Sequence, residues 1–222
     1  MIVRTEARRD VALTTLLVVQ CVLLFLGAPL AVSGDAALLV AADALILVYG
    51  VLIVVIARGR IATVAAGVIV GGMLVASVFN VAFPSSLTRT LAHMGSIFVL
   101  VVVGYAVARA VFAPGPVSAH RLLGAIVLYL NVGLFFSTVF RLIHDRIPQA
   151  FSGISADASG PEAFAALIYF SFVTLTSTGF GDITPTHPLV RSIVNVEGVV
   201  GQLYPATLLA RLLTLYMEAR RR

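Results

Sequence analysis

Apolar residues occur along this chain in long blocks separated by short polar breaks. They show neither the strict alternation of strands nor the one-faced period of surface helices. Val11 to Val32 and Ala36 to Ala57 are separated by Ser33-Gly34-Asp35, and Ile61 to Phe83 follows the turn Arg58-Gly59-Arg60. Leu87 to Phe112 follows Pro84-Ser85-Ser86. Ala113-Pro114-Gly115-Pro116 then ends the pattern, because proline lacks the amide proton that a helix uses. Leu122 to Phe140, bracketed by Arg121 and Arg141, and Ser192 to Ala210, between Arg191 and Arg211, bring the long blocks to six. A hydrocarbon core about 30 Å thick needs roughly 20 apolar residues in helical form. The pattern predicts an all-α membrane protein with six transmembrane helices.

One apolar block does not fit that length. Ala163 to Thr176 (AFAALIYFSFVTLT) has only 14 residues and lies between the last two spans. It predicts a re-entrant helix that dips into the membrane and leaves on the side where it began. Ser159 and Glu162 have the spacing of a capping box, and Pro161 falls in the first turn. The proline-rich break divides the chain into residues 1–113, holding four spans, and residues 114–222, holding two spans and the short helix.

Composition agrees with a membrane setting. The 222 residues have a mean hydropathy of +1.06, with 60% hydrophobic and 11% charged, against about a quarter charged in soluble domains. All 15 basic residues are Arg, which excludes Schiff-base chemistry, a Walker-type phosphate loop and a kinase-type site. The single cysteine, Cys21, excludes a disulfide framework within one chain. A net charge of +5 would suggest nucleic acid only on a solvated basic face. Here the arginines punctuate apolar blocks, so no nucleic-acid partner is expected and the charge reads as topology.

Arg4, Arg8, Arg9, Arg58, Arg60, Arg109, Arg121, Arg211, Arg220, Arg221 and Arg222 fall on one side; Arg89, Arg141, Arg146 and Arg191 fall on the other. The positive-inside rule makes the first side cytoplasmic, with both termini there and the re-entrant loop outside. Arg4 to Arg9, an apolar run and Ala31-Val32-Ser33 also have the outline of a cleaved signal peptide. The run is long for that, which favours an uncleaved first span.

The candidate chemistry follows the short helix: Thr176-Ser177-Thr178-Gly179-Phe180-Gly181-Asp182-Ile183-Thr184-Pro185. Irregular backbone survives at membrane depth only where protein buries it or it lines a water-filled path. Two glycines around one aromatic allow dihedrals that point successive carbonyls one way, and a ring of carbonyls can replace a cation's hydration shell. The short helix aims its partially negative end at the same place.

At these residues the chain resembles the potassium-channel pore family, whose filter reads TVGYG. The resemblance covers Leu122 to Tyr216: outer helix, pore helix, filter (STGFGD), the Pro185 turn and inner helix. It implies a homotetramer in membrane lipid, since one chain supplies one of four filter strands. K+ would be held at Ser177, Thr178, Gly179 and Phe180, with Gly181 completing the filter and no cofactor beyond the permeating ion. Thr176, Asp182 and Glu197 would support the filter. Residues 114–222 become a pore domain, and residues 1–113 take the position of a voltage sensor. The stretch from Glu197 to Tyr204, followed by Ala210-Arg211-Leu212, is similar to small bacterial two-span channels, which implies a bacterial plasma membrane. Ser177 stands where the family has Thr, its hydroxyl lining the innermost ion site. Thr178 stands where the family has Val, its side chain expected behind the filter. These departures leave a weakly selective monovalent cation channel as an alternative.

On the inner helix, the resemblance puts Gly201 at the hinge position and Gln202 facing the cavity, and Pro205 is a second weak point. Glu197 is an ionisable residue inside a span and therefore a functional candidate. Its helical phase lies well off that of Gln202, which favours bracing the pore helix over lining the cavity. His144, Asp145, Asp157, Glu162 and His187 populate the outer mouth as solvated loop residues.

A voltage sensor needs several Arg at every third position of the fourth span. Here Arg89 and Arg109 sit at its two ends with His93 between them. Moving one charge through the whole field yields about 2.3 kcal/mol per 100 mV, so end charges give weak sensing at most. Asp43, about 10 Å inside the second span at roughly 1.5 Å per residue, is expected to meet His93 and Arg89 near Asn80. That polar cluster is favoured as structural over proton-sensing. A remote alternative, an intramembrane hydrolase, rests on Gly153-Ile154-Ser155-Ala156 with His144 nearby.

Overall fold

A computed structural model describes residues 13–27, 71–72, 85–112, 119–155, 158 and 160–220. The second span, nearly all of the third, and the residues Asp43, Asn80 and Asp157 lie outside the described residues, and the expected Asp43–His93 contact lies there with them. Helix α1 covers residues 13–22 and runs on through a π-helical turn, Leu23–Gly27. Helix α2 is Ser86–Val111, α3 is Ala119–His144, α4 is Pro161–Leu175 and α5 is Pro188–Arg220. Two-residue strands β1 (Phe151–Ser152) and β2 (Thr184–Pro185) flank α4.

Helix α2 begins where its cap dictates. The Ser85 hydroxyl accepts from Thr88 N at 3.1 Å, and Ser85 N donates to Thr88 Oγ1 at 3.0 Å, a reciprocal capping box. Helix α4 starts without such a side-chain cap. Its N-cap is Gly160, with φ 62° and no side-chain hydrogen bond, and the expected Ser159–Glu162 box falls on Ser159, which lies outside the described residues. The left-handed turn into the helix requires glycine at that point. Pro161 and Glu162 do occupy the first turn, where a missing N–H and an acid are both tolerated.

The stretches Ser86–Arg109 and Arg121–His144 are each long and apolar enough to cross a membrane. Helix α5 is longer, 33 residues, but Arg191, Asn195, Glu197, Gln202 and Arg211 interrupt its apolar surface. Helices α2 and α3 meet along Val99, Val103, Val107 and Val111, one residue per turn, packed against Ala125, Val127 and Leu128 with Leu13 and Leu16 of α1. Gly104 and Gly124 let the two helices approach closely. A Cβ at Gly104 would lie 3.0 Å from Asn131 Oδ1, and one at Gly124 would lie 2.9 Å from a Val111 methyl.

Around α4 the packing turns aromatic. Phe136, Phe140, Ile143, Phe151, Leu167, Phe170 and Val190 form one buried cluster. The Phe140–Phe170, Phe151–Phe170 and Phe140–Phe151 rings meet edge-on, with centroids 5.2, 5.5 and 5.8 Å apart, each worth about 0.5–1.5 kcal/mol beyond area burial. The antiparallel β1–β2 pair sets Phe151 against Pro185 and Ser152 against Thr184. This ribbon brings the segment after α3 against the end of the 176–182 loop. Gly153, with φ 86°, sits so close that a side chain there would collide with the Asp182 carbonyl.

The helix ends segregate the arginines. Arg109 closes α2, and Arg211 donates to Phe112 O at 3.1 Å, so both lie at one end. At the other end Arg146 binds the Thr90 hydroxyl, Arg141 lies 4.8 Å over the Phe164 ring, and Arg191 donates to Pro185 O at 3.0 Å. Buried His93 has its Nδ1 3.6 Å from Asp145 Oδ2. Asp145, expected as a solvated loop acid, is exposed, and the turn after α3 brings its carboxylate beside the histidine.

Candidate functional site

The site is the loop that leaves α4. Thr176 caps the helix with φ −83°, its N–H directed at Phe172 O and Thr174 O. Ser177 N donates to Thr174 O at 2.9 Å, Thr178 N to Val173 O at 2.9 Å and Gly179 N to Val173 O at 3.3 Å. Four successive amides are thus spent on the last carbonyls of α4, groups that a helix end otherwise leaves unsatisfied. Ser177, Gly179 and Gly181 have φ of 56°, 58° and 79°, whereas Thr178 and Phe180 are not among the positive-φ residues. Alternating hand in this way puts successive N–H groups on one side and successive carbonyls on the other. The amides of Thr176 to Gly179 turn back to α4, and every residue from Thr176 to Asp182 is exposed in the single chain.

Left-handed backbone is cheap at the two glycines and costs an L-residue such as Ser177 roughly 1–2 kcal/mol. Side chains hold it there. Gln202 Nε2 lies 2.7 Å from Ser177 Oγ. Thr176 Oγ1 donates to Phe172 O at 2.7 Å, so the 2.8 Å contact between the Thr176 and Thr178 hydroxyls has Thr178 as donor. The Phe180 ring lies parallel to Tyr169, with centroids 6.4 Å apart.

Behind the loop, α5 is fastened to α4. Glu197 is fully buried, and its Oε1 lies 2.5 Å from Ser171 Oγ, which also reaches Gly133 O at 2.8 Å. One serine thereby joins α3, α4 and α5. Four residues further along, Gly201 backs onto the Leu175 carbonyl so closely that any side chain would collide with it. Tyr129 OH donates to the same carbonyl at 3.3 Å and stacks on Tyr204, whose own hydroxyl donates to Ala125 O at 2.8 Å. Pro205 lies inside α5, immediately after this anchor.

Of the residues singled out by the sequence, the structure gathers Thr176 to Asp182, Glu197, Gly201 and Gln202 around one loop, while Pro205 lies further along α5. His93 and Arg89 sit apart from it on α2. Glu197 meets α4 through Ser171, and Gln202, expected to face a cavity, reaches Ser177 of the loop. Ser171, Tyr169 and Tyr129 did not stand out in the sequence. The need of a buried acid for a partner was a signal, and serine on the short helix was its nearest candidate.

Residues 125–218, less than half of the chain, match the sequence model of a protein family described as ion channel. The matched region begins within α3 and includes α4, the loop and nearly all of α5. No curated protein and no solved structure matches the chain.

Proposed function

We propose that this chain is one subunit of a homotetrameric channel that conducts K+ passively and selectively through four 177–181 backbone strands. The observation that carries this reading is the alternating backbone at Ser177, Gly179 and Gly181, with the amides of Thr176 to Gly179 taken up by α4 and the loop itself exposed. A single strand offers a cation ligands from one side only; four around an axis enclose it. Exposed, uncovered backbone in a membrane protein also calls for neighbours, and the ion-channel match over the same residues supports the reading. Six spans with both termini cytoplasmic, in a bacterial plasma membrane, complete the proposal. The segregation of described arginines between the two ends of the helices favours that topology.

Opening is not strongly voltage-driven, since α2 carries Arg89 and Arg109 only near its ends. A weakly selective monovalent cation channel is the second reading, favoured by Ser177 and Thr178 in the loop. The hydrolase reading gains nothing, because His144 Nε2 is engaged with Ala158 O at 3.1 Å.

The test is flux through the purified chain in liposomes, comparing K+ with Na+ and adding Ba2+ as a blocker. Preferential K+ flux blocked by Ba2+ is expected. Equal fluxes favour the second reading, and absence of flux from a verified tetramer removes the channel.

A further inference from the structure

Among the loop residues with left-handed backbone, Ser177 alone has a side chain, and that side chain is one whose hydroxyl turns freely. A threonine at the same place would be restrained about χ1 by its extra methyl, whereas serine populates several rotamers at little cost. Its hydroxyl lies against α5: Gln202 Nε2 is 2.7 Å from Ser177 Oγ, the side-chain contact that fixes it among the described residues.

Gln202 is itself held still. Gly201, the adjacent residue, is jammed against the Leu175 carbonyl, and Glu197, just over one turn earlier, is bound to Ser171 at 2.5 Å. The amide therefore projects from a stretch of α5 that cannot slide relative to the end of α4 without breaking both contacts.

We propose that Gln202 is a positioning residue for ion selection: its amide supplies, from another helix, the restraint on Ser177 that a methyl group would supply from within. This inference rests on the channel reading and deepens it. The consequence is a dependence between two positions. With serine at 177, selectivity needs the amide; with threonine at 177, it does not.

The experiment measures K+ over Na+ permeability from reversal potentials of the full-length chain in planar bilayers, with tetramer verified by size-exclusion chromatography. Wild type is expected to prefer K+, and Gln202→Leu to lose that preference by roughly tenfold, the scale of one net hydrogen bond. Ser177→Thr combined with Gln202→Leu is expected to regain it. A Gln202→Leu channel as selective as wild type overturns the inference, as does a double variant no better than Gln202→Leu. A wild type that conducts without preference overturns it too, since Ser177 is then not held in a selective geometry. A tetrameric wild type that conducts nothing overturns the channel reading, an outcome distinct from these.

Discussion

The packing of α1, α2 and α3 and the packing around α4 are built from different materials. The first is valine, leucine and alanine, with glycines where helices touch. The second is a box of phenylalanines, threaded by the Ser171–Glu197 contact and tied off by a short β ribbon. In a bilayer, aliphatic side chains pack against lipid nearly as well as against protein, so small residues and close approach carry the first region. Interlocked rings and buried polar contacts admit fewer arrangements. The rigid region is the one that holds the loop, and the comparison predicts where the molecule tolerates change.

The largest contrast is between two glycines. Gly201→Ala drives a methyl group into the Leu175 backbone carbonyl and should cost about 3 kcal/mol, with loss of ion flux. Gly124→Ala meets a Val111 methyl at 2.9 Å, a side chain and not backbone, so a small shift of the helices relieves it at lower cost and flux should stay intact. Thermal unfolding of the two variants in detergent, beside liposome flux, separates them. Equal tolerance would erase the distinction between the regions.

Next in size is Phe140→Ala, which removes a ring that meets Phe151 and Phe170. About 3–5 kcal/mol is expected there, against about 1–2 kcal/mol for Val103→Ala in the aliphatic region, at roughly 0.8 kcal/mol per buried methylene. Melting temperatures rank them directly.

Glu197→Ala should follow, at about 1–3 kcal/mol for a buried hydrogen bond left half-made. Glu197→Gln, which keeps the shape and can still bond Ser171, should recover most of the loss. A glutamine variant as damaged as the alanine one would show that the carboxyl does more than fasten helices together.

The smallest effect is expected at the outer end of the loop. Tyr169→Phe, which removes one hydroxyl beside the exposed Phe180 ring and leaves the stacking in place, should change flux and melting temperature less than any variant above. A loss as large as that of Gly201→Ala would show the rim of the loop to be as constrained as its base.

The short apolar block and the glycine-rich run after it were legible in the sequence because their signals are local: block length, a proline, two glycines. The start of α4 at Gly160 was not, since its left-handed dihedral is set by the packed structure. The ribbon was invisible because two residues per strand leave no alternation to detect. Partners were the hardest part. Glu197 advertised its need for one, but that Ser171 answers, and that Asp145 is the acid facing His93, depends on which helices become neighbours. Gln202 was legible as a polar residue on the inner helix, yet its contact with Ser177 depends on Gly201 letting the helices close.

Helix α5 also has a mechanical consequence. Its 33 residues make it about 50 Å long at roughly 1.5 Å per residue, well beyond a hydrocarbon core of about 30 Å. Its upper part is clamped to α4 at Glu197 and Gly201, whereas beyond Pro205 it continues unbroken to Arg220. That lower arm is a lever about 22 Å long. A bend of about 10° at the proline would sweep its tip through roughly 4 Å while the clamped part stays in place. Displacement of the C-terminal end is therefore taken up at the proline and at the Arg211–Phe112 contact, and the base of the loop is shielded from it.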